Sequence, residues 1–143
     1  MTTGAAYHHF EDRSHLLAAL AEAGFVELSA KLAAGAETGG KVPGRAIRSM
    51  VLAYVNFARA NPVRYGLMYL PEIEDRKRFA TLHAAAWKGM EQLVASISRG
   101  VPDAPPPELL ARAAGVWAAC HGFASLLIVA CSRTVPSSRR RAR

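Results

Sequence analysis

Thr3-Gly4-Ala5-Ala6-Tyr7-His8-His9-Phe10-Glu11-Asp12-Arg13, with Leu16-Leu17 close behind, is the stretch on which the reading of the fold turns. Small residues lead into an aromatic–histidine run, and an acid–base pair then opens a leucine-rich segment. One short helix ends here and a long one begins. Thr2 or Thr3 can cap the first, since a hydroxyl accepts from an orphan N–H two or three residues on. Gly4, Ala5 and Ala6 would let a backbone approach a DNA groove closely. Tyr7, His8 and His9 offer donors for phosphate oxygens, contacts that position a protein on a duplex without reading bases. Phe10 is an apolar anchor, Asp12 suits the N-cap of the next helix, and Arg13 in its first turn could reach a phosphate as well. The plainer alternative makes Tyr7 and Phe10 core residues and leaves both histidines in solvent.

Downstream, the apolar periodicity is helical. Asp12 to about Ala34 reads as a long helix with Leu16, Leu17, Leu20, Gly24, Leu28 and Leu32 at helical spacing. Gly35 to Gly44 reads as a loop, punctuated by Gly39-Gly40 and Pro43-Gly44. A helix over Gly44 to Ala60 carries Ile47, Met50, Val51, Tyr54 and Phe57 or Ala58 on one face. Asn61-Pro62 stops it, because the residue before proline avoids the α region. A short helix follows from Pro62 through Tyr69, ended by Pro71. Residues 74–98 place Phe79, Leu82, His83, Ala86, Met90, Leu93, Val94 and Ile97 on one apolar stripe. Residues 102–107 form a proline-rich loop, and the last helix spans about 107–132. No internal repeat is evident, and no long alternating run argues for strands.

The 143 residues suffice for one domain with a sizeable core, and 51% are hydrophobic against 20% charged, which excludes a disordered tail protein. The net charge of +7 resembles a nucleic-acid signature, but it is unevenly placed. Five of the 18 basic residues are Arg133, Arg139, Arg140, Arg141 and Arg143; without them 13 basic residues face 11 acidic ones. Residues 1–40 hold Glu11, Asp12, Glu22, Glu27 and Glu37 against Arg13 and Lys31. Affinity for a duplex scales with the phosphates neutralised, and this segment neutralises few. Cys120 and Cys131 lie on one helix about 16 Å apart at 1.5 Å per residue, beyond the reach of a disulfide; a reducing cytoplasm fits, and residues 1–15 lack the apolar core of a signal peptide.

The residues quoted first resemble the end of a recognition helix and the start of the connecting helix in TetR/AcrR-type transcriptional regulators, where a Tyr-x-His-Phe run is followed by a polar turn and an apolar pair. Trp117-Ala118-Ala119-Cys120-His121-Gly122 resembles the Trp…His-Gly signature of the TetR C-terminal subfamily named for those letters (WHG). Tyr54-Val55-Asn56-Phe57 through Asn61-Pro62-Val63-Arg64-Tyr65 resembles the aromatic-rich helix of the same subfamily, which ends in Asn-Pro. The resemblance covers roughly residues 3–130. It implies an all-α, TetR-like helical bundle with a remnant of a helix-turn-helix at the N-terminus. Residues 1–34 would hold the recognition-helix remnant and the connecting helix, 35–132 the regulatory bundle, and 133–143 an Arg-rich disordered tail.

The same resemblance implies a cytoplasmic, DNA-binding regulator of repressor type that forms a homodimer on double-stranded DNA and binds a small apolar ligand in its bundle. Thr2, Thr3, Gly4, Ala5, Tyr7, His8, His9 and Arg13 would face DNA. Tyr54, Phe57, Met68, Trp87, Met90, Trp117 and His121 would contact the ligand, although aromatics at helical spacing are more often plain core. Trp117 and His121, four residues apart, share one helix face, and Gly122 beside them suggests a close helix approach. Family members carry about two further helices upstream and one further helix downstream. The chain begins at Met1, so the expectation is a mis-assigned start or a shortened gene, and a 143-residue form without sequence-specific DNA binding.

Other chemistries find little support. The histidines lack metal-ligand spacing, and His15 with Glu11 reads as a surface pair. No phosphate loop, paired-cysteine motif or serine elbow is present, so neither an enzyme nor a cofactor is expected. Two alternatives remain. One is a membrane protein with a transmembrane helix over Ala113 to Ser132, twenty residues without formal charge followed by a basic tail. The other is a ligand-binding or dimerising module without DNA binding.

Overall fold

The computed structural model of the chain describes residues 10–133. The expected short helix over residues 2–9, and with it Thr2, Thr3, Gly4, Ala5, Tyr7, His8 and His9, lies outside them, as does the Arg-rich segment from residue 134. The described residues form five α-helices and a 3-10 turn: α1 (Arg13–Gly39), α2 (Pro43–Ala60), α3 (Pro62–Leu67), the turn Pro71–Ile73, α4 (Ala80–Ser98) and α5 (Pro106–Arg133). None of them is in a strand, and the all-α, TetR-like bundle stands.

α1 packs against α2 on one side and α4 on the other, and α5 packs on the same two helices, while α3 and the 3-10 turn lie against α1. The core between them is built from Phe25, Leu28 and Leu32 of α1, Met50, Tyr54 and Phe57 of α2, Tyr65 and Met68, Ile73, and Leu82, Leu93 and Ile97 of α4. Asp12 caps α1 as its short carboxylate allows, accepting from the backbone N–H of His15 at 3.0 Å. His15 also meets Glu11 at 3.4 Å, and Arg78 from the turn before α4 pairs with Asp12. Asn61 ends α2: its side-chain amide donates to the Phe57 carbonyl at 3.0 Å, and Pro62 opens α3.

Three features differ from the sequence reading. First, Gly35 to Gly39 are helical, so the first helix is longer and the loop shorter than the glycines suggest. A Cβ on Gly35 would sit 3.0 Å from the Ser49 carbonyl oxygen, and one on Gly39 would sit 2.3 Å from the Ala46 Cα. These glycines let the α1 and α2 backbones touch, and the helix ends at Gly40, whose φ of 66° is the left-handed stop that glycine adopts freely. Second, α4 begins at Ala80 rather than near Glu74. The Asp75 carboxylate accepts from the N–H groups of Lys77 and Arg78 at 2.9 and 3.1 Å, which closes a turn in place of a helical start. Third, the buried stripe of α1 runs Ala18, Ala21, Phe25, Leu28, Leu32, whereas Leu20 is 46% exposed.

α5 is two-faced. Ala113, Cys120 and Ala124 are buried, but Leu110, Phe123, Leu126 and Val129 lie exposed on other sides of the helix. By length and composition Pro106–Cys131 is apolar enough to cross a membrane; within this fold its inner side is a bundle face. A Cβ on Gly122 would meet nothing within 4 Å. The close approach expected there does not occur among the described residues, because Gly122 faces away from the bundle.

Candidate functional site

At the centre of the bundle, three helices contribute to one buried polar cluster. Tyr54 on α2 points its hydroxyl at those of Tyr65 and Tyr69, at 3.1 and 2.8 Å. Tyr65 on α3 reaches His121 Nδ1 on α5 at 2.6 Å, and the Tyr54 oxygen lies 3.5 Å from the same nitrogen. The simplest consistent arrangement has a neutral imidazole accepting from the Tyr65 hydroxyl, whose oxygen then accepts from Tyr54. Burial favours the uncharged form of each group. It raises the Tyr54, Tyr65 and Tyr69 phenols above their usual range, and it lowers His121 below the ordinary histidine value. The rings pack as well as bond: Tyr69 and His121 centroids are 4.3 Å apart, and Tyr54 meets Trp117 edge-on at 5.2 Å.

Tyr69 is also a wall. On its far side lie two cavities that share Phe25, Tyr69, His83 and Ala86 as lining. The smaller, about 230 Å³, is closed by Met68, Leu70, Ile73 and Leu82, with Glu74 at its edge. The larger, about 420 Å³, is bounded by Trp87, Met90 and Trp117, with Arg76 at its edge. The lining is thus mostly apolar with a few polar groups, which is the usual make-up of a small-molecule site. One of those groups is unsatisfied: His83 Nε2 is buried and has no hydrogen-bond partner among the described residues. Trp117 reaches the site over Gly89 of α4, where a Cβ would lie 2.9 Å from the indole ring.

The residues expected to contact a ligand therefore divide. Trp87, Met90 and Trp117 come together on the larger cavity and Met68 lies on the smaller one. Tyr54 and Phe57, each 1% exposed, are enclosed in the core and line neither, and His121 sits behind Tyr69 in the tyrosine cluster. Arg13 is exposed in the first turn of α1. Sequence reasoning overlooked Phe25, Arg76 and Gly89. The alternating three- and four-residue spacing of Ala18, Ala21, Phe25, Leu28 and Leu32 was a usable signal for Phe25; nothing local marks Arg76 or Gly89. Among the described residues no group of three or more His, Cys, Asp or Glu side chains could hold a metal.

Comparison with known proteins agrees with this architecture. A family model described as "Tetracyclin repressor-like, C-terminal domain" matches residues 47–141. A solved structure of a protein with unknown function from Rhodococcus sp. RHA1 superposes with a TM-score of 0.71 at 27% sequence identity, covering 95% of this chain and 71% of that one. Among proteins of curated function, none matches the chain. The match takes in α3, α4, α5 and nearly all of α2, the same helices that supply most of the cavity walls, and the chain belongs to the tetracyclin repressor-like (TetR) family.

Proposed function

We propose that this chain is the ligand-sensing part of a TetR-type transcriptional regulator of repressor type, with the two adjoining cavities as the site for a small, mostly apolar molecule. The observation that carries the reading is Phe25. It lies on α1, the helix that follows the segment resembling a recognition helix, and it lines both cavities. A ligand filling them touches α1 directly, and any preference for one placement of that helix becomes a preference for one placement of the residues before it. Thr2, Thr3, Gly4, Ala5, Tyr7, His8, His9 and Arg13 are the corresponding DNA-facing set, and the protein works in the cytoplasm without a catalytic role.

The second element of the proposal is a homodimer on the outer face of α5. Leu126 is 70% exposed, Phe123 55% and Val129 50%, in a family of regulators that pair. Gly115 and Gly122, seven residues apart and open to solvent, would let a second α5 come close. The WHG subfamily assignment belongs with this reading, since Trp117 and His121 occupy the cavity wall and the cluster behind it.

Hydrogen exchange on the full chain, with and without a small apolar molecule that raises its melting temperature, tests the sensing role. Slower exchange at α1 on ligand binding is the expected result. Exchange that changes only at α4 and α5 would remove the link to α1. Footprinting separates the regulator from a ligand-binding and dimerising module: a sequence-defined protected site supports the former, and salt-sensitive binding indifferent to sequence supports the latter.

A further inference from the structure

The site's polar groups specify more than an apolar guest. Around the larger cavity the walls are aromatic: Phe25, Tyr69, Trp87 and Trp117. His83 lines the same cavity, and its Nε2 is buried and unpartnered among the described residues. At the edge stands Arg76, which has no ion-pair partner among the described residues, although its neighbour Arg78 is held by Asp12 and Arg64 by Glu27. Glu74, the other charged group on the pair of cavities, borders the smaller one. The larger cavity thus carries a guanidinium and a ring nitrogen on an otherwise apolar and aromatic lining, and the carboxylate of Glu74 belongs to the smaller one.

We infer that the cleft takes a small aromatic monocarboxylic acid, its carboxylate between Arg76 and His83 and its ring among Trp87, Trp117 and Phe25. The guanidinium supplies a two-pronged donor matched to a carboxylate, and His83 Nε2, in the tautomer that carries its proton there, supplies an N–H. Edge-to-face packing on four aromatic walls favours a planar guest over a flexible chain. Arg76 is the one Arg or Lys on this lining, so the cavity is matched to a single carboxylate. This inference rests on the ligand-site reading above and adds the class of ligand to it.

Both tryptophans of the chain line this cavity, so a guest there should change tryptophan emission. The full chain is titrated with benzoate and phenylacetate, and separately with the corresponding amides. The acids should give a saturable change, with the amides at least about tenfold weaker, as expected for loss of a charge-assisted pair. Arg76→Gln should bring the acids down to the level of the amides and leave the amides unchanged, and Lys77→Gln, one residue away, should change neither. Amides that bind as tightly as acids, or an Arg76→Gln variant that keeps the difference, would overturn the acid assignment while leaving an apolar ligand site standing. If neither acids nor amides move the emission of a chain with full helical signal, the acid assignment falls together with the ligand site.

Discussion

Tyr54 carries the largest share of the polar core. Its hydroxyl is buried among Tyr65, Tyr69 and His121, and a buried hydroxyl that loses its partner costs about 1–3 kcal/mol. Tyr54→Phe should therefore lower the stability of the chain by about that amount in chemical denaturation; a change smaller than the error of the fit would mean that the remaining tyrosines repartner without loss. His121 makes the same cluster sensitive to acid. Burial lowers its folded value below the unfolded value of about 6.5, so the folded state binds fewer protons across that interval. The contribution is fully present above the unfolded value and is lost as pH falls through the folded one. The melting temperature should accordingly fall as pH drops below about 6.5, and His121→Leu should flatten that slope while lowering stability at neutral pH by removing the imidazole acceptor of the Tyr65 hydroxyl. An unchanged slope in the variant would place the acid sensitivity elsewhere.

Among the elements, α1 is defined by its two ends. Asp12 at the start has a carboxylate held down to about 2, chiefly by the backbone N–H of His15, with His15 and Arg78 side chains adding to the effect. A depressed carboxylate contributes above its unfolded value of about 3.8 and loses that contribution as pH falls through about 2. Asp12→Asn keeps a capping oxygen and should remove the acid-dependent part, whereas Asp12→Ala should remove the cap at every pH; equal acid profiles for wild type and Asp12→Asn would refute the assignment. At the other end, Gly39→Ala tests the seam with α2. Alanine is the better helix former by about 1 kcal/mol, yet its Cβ would lie 2.3 Å from the Ala46 Cα, a backbone atom that cannot swing away. Overpacking of this kind costs about 1–3 kcal/mol, so the variant should be destabilised on balance. A stabilised Gly39→Ala would show that the two helices separate at little cost.

For the whole molecule, the decisive question is what covers α5. The helix spends a narrow strip of small residues, Ala113, Cys120 and Ala124, on the bundle and leaves large apolar side chains outside. Pairing of two copies through this face predicts a dimer in sedimentation equilibrium. Leu126→Glu, a substitution at an exposed position, should give a monomer of unchanged helical signal. A wild-type monomer at tens of micromolar would remove the homodimer from the proposal.

The helices, the proline stops at Asn61-Pro62 and before α5, the Asp12 cap and the family resemblance were all legible in the chain. Each depends on residues within a turn or two of one another, where periodicity and capping chemistry act directly. The same local logic misread Gly35 and Gly39 as loop punctuation and could not tell that Gly122 faces away from the bundle, because a glycine looks alike whether it frees a turn, admits a neighbouring backbone or lies on an outer face. Only the packed structure separates these uses, through what stands opposite each one. The site follows the same division. Trp87, Met90 and Trp117 could be nominated from their spacing, but their meeting with Phe25, His83 and Arg76 around one cleft, and the withdrawal of Tyr54 and His121 behind Tyr69, are set by how α1, α4 and α5 pack. Helix formation is written in short-range periodicity, whereas a cavity is the space that several helices fail to fill, and its walls are decided only once all of them are in place.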